Sequence, residues 1–576
     1  MTTPHTHEAS ARESVSLHPN IVKLLHKRGM NDQEIAEFLS WDLKALPELT
    51  QMKDLDRASQ RIIQAIEKNE KIGVYGDYDV DGTTSCALLY HFFKMLNTEI
   101  ITIQPSRFVE GYGIHPPAID SAIERGIKVL ITVDCGITNN EAAEYAQLRG
   151  LDLIITDHHK DAREEMPPAY AVVNPNRRDE NIEDLKPLAG VGVAFALALQ
   201  IKNDLAKQGK ETPSLYPLLQ FVAIGTICDL AYLTPANIKL VRHGMKQLKT
   251  SQYMGIRQFF NQEERKEPFI SSEKLSFQIG PMINSKGRLD HPERALLLLT
   301  CDDPSIAFEN YSHLDISNRE RKAIQEEVFK LAREQVFQSI KDQEHLISIV
   351  YSPEFHEGVI GIVASKLVEA FKVPAVIFTD TEDKTMIKAS ARTAGDLSIF
   401  DCLKQCDDLF VKFGGHKAAA GLSMMKENLP AFIERMNSLL KEIPAIQRTK
   451  TFTYDLEVTP HDINPKLARD LEKLEPYGNG NAKPLFKMTD FMIESYDLLK
   501  EVHVRWNLAS TKGEKVNLKG ISFNFMTKTD SYRPDELYQM QKRGEPLVCY
   551  FTVGINRFNG AEYLQLMIES IAPQAH

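Results

Sequence analysis

The chain has 576 residues, a hydrophobic fraction of 43% and a formal net charge of −11 at pH 7. That length is too great for one hydrophobic core and predicts roughly three or four domains. Apolar runs are too short to cross a membrane and the start, MTTPHTHEASARES, is polar, so we expect a cytoplasmic protein. The acidic charge gives no compositional sign of nucleic-acid binding, so a DNA site would have to be a local basic groove.

The first part of the chain predicts helices followed by a parallel sheet. Residues 1–70 contain the helical patterns HPNIVKLLHKRG and NDQEIAEFLSWDLKAL and are predicted to be a helical lead-in. Short β-rich runs then alternate with helical patterns, as in βαβ units. These runs are KIGVYG, EIITIQP, KVLITVD, LDLIITD and AYAVVNP. A mainly helical stretch follows, and we predict one α/β domain over 71–303.

Acidic residues follow four apolar runs of this domain, and each run is interpreted as a strand. They are Asp77, Asp79 and Asp81 after KIGVYG, Asp134 after ITV, Asp157 with His158 and His159 after LIIT, and Asp229 after FVAIGTIC. Because the ends of parallel strands share one edge of a sheet, these side chains are predicted to converge. One such acid alone would indicate a turn or a helix cap. Four in series with two histidines favour a site for Mn²⁺ or Mg²⁺.

Two cations held among these carboxylates would support metal-assisted hydrolysis of a phosphoester. The predicted ligands are Asp77 and Asp79 for one ion, Asp81, His158 and Asp229 for the other, and Asp134 as the bridge between them. His159 is then predicted to face the substrate. With Asp157 and Asp134 it makes up the predicted catalytic set.

The remaining chain predicts three further parts. Residues 304–345 combine helical periodicity with many charges, which predicts a long exposed helix connecting two bodies. Residues 346–445 predict a smaller α/β body, with LISIVYS, AVIFTD and MIKASAR as strands. Residues 446–576 carry β-like runs between short charged turns, a spacing typical of a small closed barrel. The fold class is therefore predicted to be multidomain α/β with a C-terminal β-barrel.

Several motifs of the chain resemble those of a known family. GDYDVDGTTS, VDCG, the DHH triplet and GTICDL are similar to the four signature motifs of the DHH phosphoesterase superfamily. LAGVGVAFAL, IGPMINSKGRLDHPERAL, SNRERKAIQ, FHEGVIGIVASKL, KASARTAGDLSI and FGGHKAAAG are similar, in this order, to the bacterial RecJ branch. EPYGNGNAKPLF resembles the entry to the oligonucleotide-binding (OB) barrel of that branch. The resemblance extends over about residues 70 to 490.

The resemblance implies a single-stranded-DNA-specific 5′→3′ exonuclease with two Mn²⁺ or Mg²⁺ ions, releasing 5′-mononucleotides in DNA recombination and repair. It implies a parallel-sheet DHH domain, a DHH-associated α/β domain and an OB-like barrel. The same metal ligands are implied, with His159 at the scissile phosphate. Implied partners are single-stranded DNA, a single-strand binding protein and a DNA helicase, and the protein is expected to be a monomer without a membrane association.

Residues outside the acidic cluster are implied to contact DNA or its phosphates. They are Arg107, Arg288, His356, Ser390, Arg392, Gly414, Gly415 and His416. Arginine forks match phosphate oxygens, and consecutive glycines let backbone amides approach a phosphate. For any single arginine, a surface ion pair is an equally good interpretation.

Some positions depart from the RecJ pattern, and none of them is a predicted metal ligand. They are Met282, Ser285 with Lys286, Phe355 in place of a common tryptophan, and Ala482 in place of a proline. The substitutions at 282–286 put local contacts with the DNA strand in doubt. Phe355 is aromatic like the common tryptophan and can still stack.

The barrel mixes basic and aromatic residues, as on a platform for stacked bases. They are Lys500, Arg505, Trp506, Lys512, Lys515, Lys519 and Phe523. The alternative is that the aromatic side chains fill the barrel and the lysines are solvated.

Two other functions fit parts of the sequence. A DHH-family phosphodiesterase of short oligonucleotides or cyclic dinucleotides would need the same metal ligands, but the 576-residue length and the extra barrel argue against it. A non-catalytic single-stranded-DNA-binding scaffold would be expected to lose metal ligands, and this chain keeps the predicted set.

Overall fold

The computed structural model describes residues 17–105, 113–160, 165–267, 270–285, 293–340, 345–449, 453–527, 532–558 and 560–574. The chain divides into two compact units. The larger unit comprises Trp41–Phe452 and Pro476–Ala482. The smaller unit comprises the described residues up to Ser40, Thr453–Glu475 and those from Lys483 onward.

The α-helices of the described residues are numbered in chain order. They are α1 (Pro19–Lys27), α2 (Asp32–Leu39), α3 (Leu55–Glu67), α4 (Val80–Met95), α5 (Pro116–Glu124), α6 (Asn140–Leu148), α7 (Gly190–Lys207), α8 (Leu219–Cys228), α9 (Pro235–Leu248), α10 (Met254–Gln258), α11 (Ser272–Lys274), α12 (Gly280–Ile283), α13 (Glu293–Thr300), α14 (Pro304–Ser339), α15 (Glu357–Phe371), α16 (Ile399–Lys404), α17 (Leu429–Lys441), α18 (Ala445–Arg448), α19 (Pro465–Glu472) and α20 (Pro534–Lys542). A π-helical turn, Leu275–Ile279, lies between α11 and α12. Within the described chain, no helix has both the length and the apolar character required to span a membrane.

Among the described residues, the strands form three sheets. They are β1 (Lys71–Gly76), β2 (Ile100–Ile103), β3 (Ile127–Val133), β4 (Asp152–Thr156), β5 (Ala171–Val173), β6 (Ser348–Tyr351), β7 (Ala375–Asp380), β8 (Ile387–Arg392), β9 (Phe410–His416), β10 (Ala419–Met424), β11 (Leu456–Glu457), β12 (Phe486–Met488), β13 (Phe491–Leu499), β14 (His503–Ser510), β15 (Asn517–Ser522), β16 (Leu547–Phe558) and β17 (Ala561–Pro573). The multidomain α/β fold class predicted from the sequence is confirmed.

The first sheet is parallel throughout, in the order β2-β1-β3-β4-β5. Leu130 of β3 belongs to the apolar cluster that β3 forms with α5 and α6, whereas its neighbours Val129 and Ile131 are fully buried outside that cluster. A strand covered on both faces requires a continuous apolar run such as IKVLITV, and β-branched side chains suit it. The carboxyl ends of β1, β3 and β4 therefore open onto one edge, as predicted.

Asp229 follows a helix, and the prediction of a strand before it is wrong. The run FVAIGTIC lies in α8, and Asp229 is the C-terminal cap of that helix. Nearly every residue of α8 is buried, so the run has no polar face from which helical periodicity could be recognised. A Cβ at Gly225 would lie 2.5 Å from the Thr84 hydroxyl, so this glycine lets α8 pack closely on α4.

Helix α14 spans 36 residues, which confirms the predicted long connecting helix. Pro304 occupies its first turn, and the Asp303 side chain caps it by accepting hydrogen bonds from the backbone N–H groups of Ser305 and Ile306. The helix is not simply exposed, because one face is buried along its length. That face includes Ala307, Leu314, Val328, Ala332 and Val336.

The second sheet has the order β6-β7-β8-β10-β9, with β6 and β7 parallel and the other pairs antiparallel. Phe378, Ile387 and Phe432 are fully buried in its core. The segment FGGHKAAAG forms the adjacent ends of β9 and β10, which pair as a hairpin. Gly414 and Gly415 therefore lie in a strand.

The smaller unit is built on the third sheet, in the order β11-β12-β16-β17-β15-β14-β13. Trp506 and Phe551 are fully buried in it. The N-terminal helix α1 belongs to the same unit, and the backbone N–H of His18, which precedes α1, donates to Asp470 of α19 (2.7 Å), 452 positions later. The two ends of the chain therefore fold together.

Candidate metal centre

The turn between β1 and α4 carries three acids of the site. Asp77 follows β1 directly, Asp79 caps α4 by accepting a hydrogen bond from the backbone N–H of Gly82 (3.0 Å), and Asp81 lies in the first helical turn. A Cβ at Gly82 would lie 2.4 Å from the Asp77 carbonyl oxygen. The tight turn that gathers these carboxylates therefore requires glycine there.

Asp134 follows β3 in a left-handed backbone conformation, with φ +60°. Its side chain is buried, with 2% exposed. A Cβ at Gly190, the first residue of α7, would lie 2.7 Å from the Cβ of Asp134. Glycine at 190 therefore makes the space in which Asp134 lies.

The residues after β4 orient two imidazole rings. One carboxylate oxygen of the fully buried Asp157 accepts hydrogen bonds from the backbone N–H groups of His158 (2.7 Å) and His159 (3.0 Å) and lies 2.7 Å from Nδ1 of His159. The other oxygen accepts from the backbone N–H of Ile137 (2.9 Å). The Asp157 carboxylate is thus engaged by protein donors, and its geometry suits the positioning of His159 rather than contact with a substrate.

His158 occupies the centre of the acidic cluster. Its Nε2 lies 3.2 Å from a carboxylate oxygen of Asp134 and 3.8 Å from oxygens of both Asp81 and Asp229. Three sets of residues each bring one potential ligand atom per residue within 4.8 Å of one another, namely Asp77, Asp79 and Asp134; Asp81, His158 and Asp229; and Asp134, His158 and His159. The first two sets bring together the residues predicted as ligands, and Asp134 also belongs to a set with His159.

Several buried atoms of this cluster make no hydrogen bond in the described structure, although two of them, the Asp134 oxygen and His158 Nε2, lie 3.2 Å apart. They are one carboxylate oxygen of Asp77, one of Asp134 and Nε2 of His158. Buried polar atoms normally have a partner, so three such atoms in one cluster call for a bound group. Carboxylate oxygens with an imidazole nitrogen are a donor set that fits Mn²⁺ or Mg²⁺.

The raised pKa values of the acids also favour a cation at this site. Burial, followed by the charge of Asp79, raises the pKa of Asp77 to about 8 and that of Asp81 to about 7. Burial and the charge of Asp81 raise the pKa of Asp229 to about 9 and that of Asp134 well above its usual range. Carboxylates that repel one another in a buried space are stabilised by cations between them.

The two histidines differ in charge. Burial, followed by the charge of His159, lowers the pKa of His158 to about 4, so the His158 ring is neutral, as a metal ligand must be. Burial also lowers the pKa of His159, but the hydrogen bond and charge of Asp157 outweigh it and raise that pKa to about 9. Although burial raises the pKa of Asp157, its hydrogen bond with His159 brings the net pKa below the usual value.

Groups that support the site were not recognised in the sequence. The backbone N–H groups of Gly190 and Val191, at the start of α7, donate to the two oxygens of Asp81 (2.6 and 2.8 Å). Asn174 and Asn176 donate to the backbone carbonyls of His159 (2.9 Å) and His158 (2.7 Å). The small residues that open LAGVGVAFAL were a signal for the first contact, whereas single asparagines in a loop gave none.

The second sheet brings together two of the predicted phosphate contacts. Ser390 and Arg392 lie on the same face of β8, and the Arg392 guanidinium donates to the Ser390 hydroxyl (2.8 Å) and the Ala391 carbonyl (2.8 Å). Burial lowers the pKa of Arg392. A Cβ at Gly361 of α15 would lie 2.8 Å from the guanidinium and 3.0 Å from the hydroxyl, so the helix packs directly over this pair.

The other candidates in this region differ in their surroundings. His356 caps α15, and its Nδ1 accepts a hydrogen bond from the backbone N–H of Gly358 (3.0 Å). His416 pairs with Ala419 at the exposed end of the β9–β10 hairpin. A Cβ at Gly415 would lie 2.5 Å from the Ala420 Cα, so strand packing already requires that glycine, whereas space around Gly414 is open.

Some predicted contacts fall elsewhere. Arg107, Arg288 and Lys286 lie outside the described residues. Phe355 is buried in an apolar core with 3% of its surface exposed, so it is not available for the stacking that the sequence left open. Ser285 is fully buried and its hydroxyl donates to the Met282 carbonyl (2.6 Å), which gives it a structural role.

The predicted stacking platform on the third sheet is wrong in part. Trp506 is fully buried, and its indole N–H donates to the Ser522 hydroxyl (3.0 Å). Lys512 pairs with Asp490 (2.8 Å), and Lys515 pairs with Glu494. Phe523 is 51% exposed beside His503 and still offers a face for stacking.

Three family models match the chain in succession. The DHH family N-terminal domain matches residues 71–226, the DHHA1 domain 343–442 and the RecJ OB domain 454–570. These matches agree with the predicted order of a DHH domain, a DHH-associated domain and an OB-like domain.

Relatives and solved structures resemble nearly the whole chain. The single-stranded-DNA-specific exonuclease RecJ of Bacillus subtilis is 32% identical over 570 residues, covering 98% of this chain and 69% of that protein. The RecJ exonuclease of Escherichia coli is 32% identical over 573 residues, covering 97% of this chain and 96% of that protein. The crystal structure of RecJ from Thermus thermophilus in complex with Mn²⁺ matches with a TM-score of 0.76 and 26% identity, covering 97% of this chain and 76% of that one.

Proposed function

Because this chain belongs to the RecJ family of single-stranded-DNA-specific exonucleases, we propose that it hydrolyses phosphodiester bonds of single-stranded DNA from the 5′ end, using two Mn²⁺ or Mg²⁺ ions. The observation that carries the proposal is the set of buried, unpartnered ligand atoms on Asp77, Asp134 and His158. A scaffold that only bound DNA would have no need of such a set. The Thermus thermophilus relative, whose structure contains Mn²⁺, supports the choice of ion.

Different side chains of the site have the roles of binding the metal ions and contacting the phosphate. Asp77 and Asp79 would hold one ion, and Asp81, His158 and Asp229 would hold the other. Asp134, which lies close to both groups of ligands, would contribute to the binding of the pair. When bound, such a pair of ions supplies a hydroxide at neutral pH and neutralises charge on the phosphate. His159, fixed by Asp157 at 2.7 Å, faces the scissile phosphate and contacts its oxygens.

The 5′ end is held by the second sheet. Ser390 and Arg392 form a donor pair beneath α15, and His356 lies at the N-terminus of that helix, where an anion is stabilised. Arg392 is half-buried beneath α15, so a phosphate bound to it is partly shielded from water and the interaction is strengthened. His416 and the open backbone at Gly414, with Arg107 and Arg288, extend the contacts along the strand.

The biological setting follows from this chemistry and from the family. The products are 5′-mononucleotides, released in DNA recombination and repair in the cytoplasm. The partners are a single-strand binding protein and a helicase that exposes 5′ ends, and the enzyme acts as a monomer. Along the sequence, we propose segment bounds at residues 70, 303, 345 and 445, which separate a lead-in, the DHH domain, the connecting helix, the DHH-associated domain and the OB-like domain. The start of the lead-in folds in one unit with most of the OB-like domain.

The test is digestion of a long single-stranded oligonucleotide labelled at its 5′ or 3′ end, beside its duplex and a dinucleotide, with Mn²⁺. We expect early mononucleotide release from the 5′ label and an intact duplex. Asp134→Asn should abolish release, while Asp401→Asn, a change of an exposed acid, should leave it unchanged. Early 3′ release, preference for the dinucleotide, or full activity of Asp134→Asn would contradict the proposal.

A further inference from the structure

The segment Pro476–Ala482, PYGNGNA, is a closed loop between α19 and β12. The backbone N–H of Gly478 donates to the carbonyl of Asn481 (3.0 Å), and the N–H of Asn481 donates back to the carbonyl of Gly478 (3.1 Å). The Asn481 side chain, which is buried, donates to the Pro476 carbonyl (2.8 Å). The loop is therefore held in one shape by its own hydrogen bonds. It belongs to the larger unit, although the chain on either side of it belongs to the smaller one.

This loop binds the residues that directly follow Asp229. The Asn479 side-chain amide donates to the Leu230 carbonyl (3.1 Å), and the Asn479 carbonyl accepts from the backbone N–H of Leu233 (2.7 Å). The ring of Tyr232 lies against Gly480, where a Cβ would come within 2.8 Å of a ring carbon. Gly480 also has φ +86°, so glycine is required on both counts.

The bound segment has little support from its own helix end. Leu230 terminates α8 with φ +59°, a left-handed conformation that is costly for a leucine, and its side chain is 64% exposed. The hydrogen bonds that close the helix end are long, at 3.3 Å from the N–H of Leu230 to the Ile227 carbonyl and 3.3 Å from the N–H of Ala231 to the Thr226 carbonyl. Strained backbone of this kind persists where the surroundings fix it.

The loop also reaches the other side of Asp229. The backbone N–H of Tyr477 donates to the hydroxyl of Ser272 (2.9 Å), a buried residue. Ser272 is the first residue of α11, which leads directly into the π-helical turn. In that turn the Leu275 carbonyl accepts from the Cys228 thiol (3.4 Å), directly before Asp229. The loop therefore contacts, directly or through one short segment, the residues on both sides of this acid.

We propose that Asn479 and Gly480 are positioning residues for the metal centre, holding the backbone around Asp229 so that its carboxylate stays beside His158 and Asp81. The inference depends on the proposed function only in taking Asp229 as a metal ligand. Partners that orient ligands in this way typically change metal affinity by about 10- to 100-fold when removed. The contacts described for both residues are with Leu230, Leu233 and Tyr232, which follow Asp229 in the chain.

The variants are Asn479→Ala and the isosteric Asn479→Asp, which both remove the amide donor to Leu230, and Gly480→Ala, which drives a methyl group into the Tyr232 ring. Asn437→Ala is the matched control, because its side chain also donates to a single backbone carbonyl, that of Ile433 (2.9 Å), within α17 of the second-sheet region. Binding of Mn²⁺ to the full chain without DNA is measured from the paramagnetic resonance signal of free Mn²⁺. The rate of single-strand digestion is measured across Mn²⁺ concentrations in parallel.

We expect both Asn479 variants to bind one of two Mn²⁺ ions with an affinity about 10-fold lower than that of the wild type. Their digestion rate should recover for the most part at high Mn²⁺ concentration. In an Asp229→Asn background, Asn479→Ala should cause no further loss of Mn²⁺ affinity. Unchanged Mn²⁺ binding in the Asn479 variants, or losses that add to that of Asp229→Asn, would overturn the inference. A wild-type chain that binds two Mn²⁺ ions but leaves single-stranded DNA intact would overturn the proposed function instead, and the binding comparison would still decide the role of the loop.

Discussion

The position of Asp134 in the site depends on a glycine, Gly190, that packs against it. A Cβ at residue 190 would lie 2.7 Å from the Asp134 Cβ and 3.0 Å from its Cα, so glycine at 190 leaves the space that Asp134 occupies. The backbone N–H of the same glycine donates to Asp81. A single position thus holds two predicted ligands, one by leaving space and one by donating a hydrogen bond.

Gly190→Ala should therefore lower the digestion rate by about 100-fold or more, since a displacement of about 1 Å at a reacting group has effects of that size. Gly192→Ala is the control in the same helix, because the nearest atoms to its Cβ would be side-chain atoms of Leu188, first the terminal Cδ2 at 3.1 Å, and not atoms of the site. Rates at saturating Mn²⁺ and melting temperatures are compared for the two variants. Equal activities would show that Asp134 tolerates the added methyl group.

The raised pKa values of the acids predict how metal-free protein responds to pH. The folded-state pKa of Asp77, about 8, lies above the unfolded value near 3.8, so the folded state loses relative stability as pH rises between those values. Asp77→Asn removes this loss. Without metal it should be more stable than wild type at pH 8 by at least about 1.4 kcal/mol, the equivalent of one pKa unit, and the difference should shrink at pH 4.

Denaturant unfolding with a chelator, at both pH values, measures this difference. Added Mn²⁺ should reverse the order at pH 8, because the cation stabilises the ionised carboxylate of wild type and Asn binds it less well. Wild type that is already the more stable protein at pH 8 without metal would contradict the electrostatic account.

At the scale of elements, β8 shows a simple alternation. Ile387, Ala389 and Ala391 point into the core, and Lys388, Ser390 and Arg392 lie on the other face. Gly361 of α15 lies against the last two side chains. Strand β8 thus aligns the Ser390 hydroxyl with the Arg392 guanidinium, and α15 leaves space for both groups because residue 361 is glycine.

Arg392→Ala should reduce kcat/KM on 5′-phosphorylated single strands by about 10- to 100-fold, the range expected when a hydrogen bond to a charged group is lost. The loss should be smaller on strands with a 5′-hydroxyl, because the lost partner is the terminal phosphate. Arg435→Ala is the control, since that exposed arginine pairs with Asp408 in the same region. An equal loss on both substrates would assign Arg392 to structure rather than to the 5′ end.

The elements also show what the sequence predicted and what it did not. The acids after β1, β3 and β4 were correctly expected to converge, because a buried apolar run ending in acid is a strong sign of a parallel sheet edge. FVAIGTIC was misassigned as a strand because a helix buried on all sides has no polar face. The sequence left open whether Trp506 and Phe355 stack on DNA or fill a core, because aromatic side chains look alike in sequence in either role, and both are buried. The contacts of Asn479 and Gly190 depend on residues more than 50 positions away, which no local pattern records.

At the scale of the whole molecule, the smaller unit depends on both ends of the chain. Ile21, Leu24 and Leu25 of α1 are fully buried, and Arg28 after the helix pairs with Asp455 (2.9 Å). Helix α1 contacts α19 of the same unit. The N-terminal helix is therefore part of the core of this unit.

Leu24→Ala should destabilise the smaller unit by about 2–5 kcal/mol, the usual range for a buried leucine. Lys23→Ala, on the exposed side of the same helix, should have little effect. Hydrogen exchange reports the two units separately: protection should fall in β16 and β17 and stay unchanged in β1 and β3. Equal loss of protection in all four strands would mean that the two units unfold together.

The pairing of chain ends also sets an order of events on the ribosome. His18 can bind Asp470 only after the 452 residues up to that position have been synthesised. At about 5 to 20 residues per second, this synthesis takes roughly 20 to 90 seconds. Throughout that time the apolar face of α1 has no partner from its own unit, and it is open to chaperones and to neighbouring nascent chains. Likewise, Leu230 after Asp229 gains its contact with Asn479 only when a further 249 residues have been synthesised. We therefore expect a half-synthesised chain to contain a folded parallel sheet whose metal centre is still incomplete, so that nuclease activity arises only when synthesis is nearly finished.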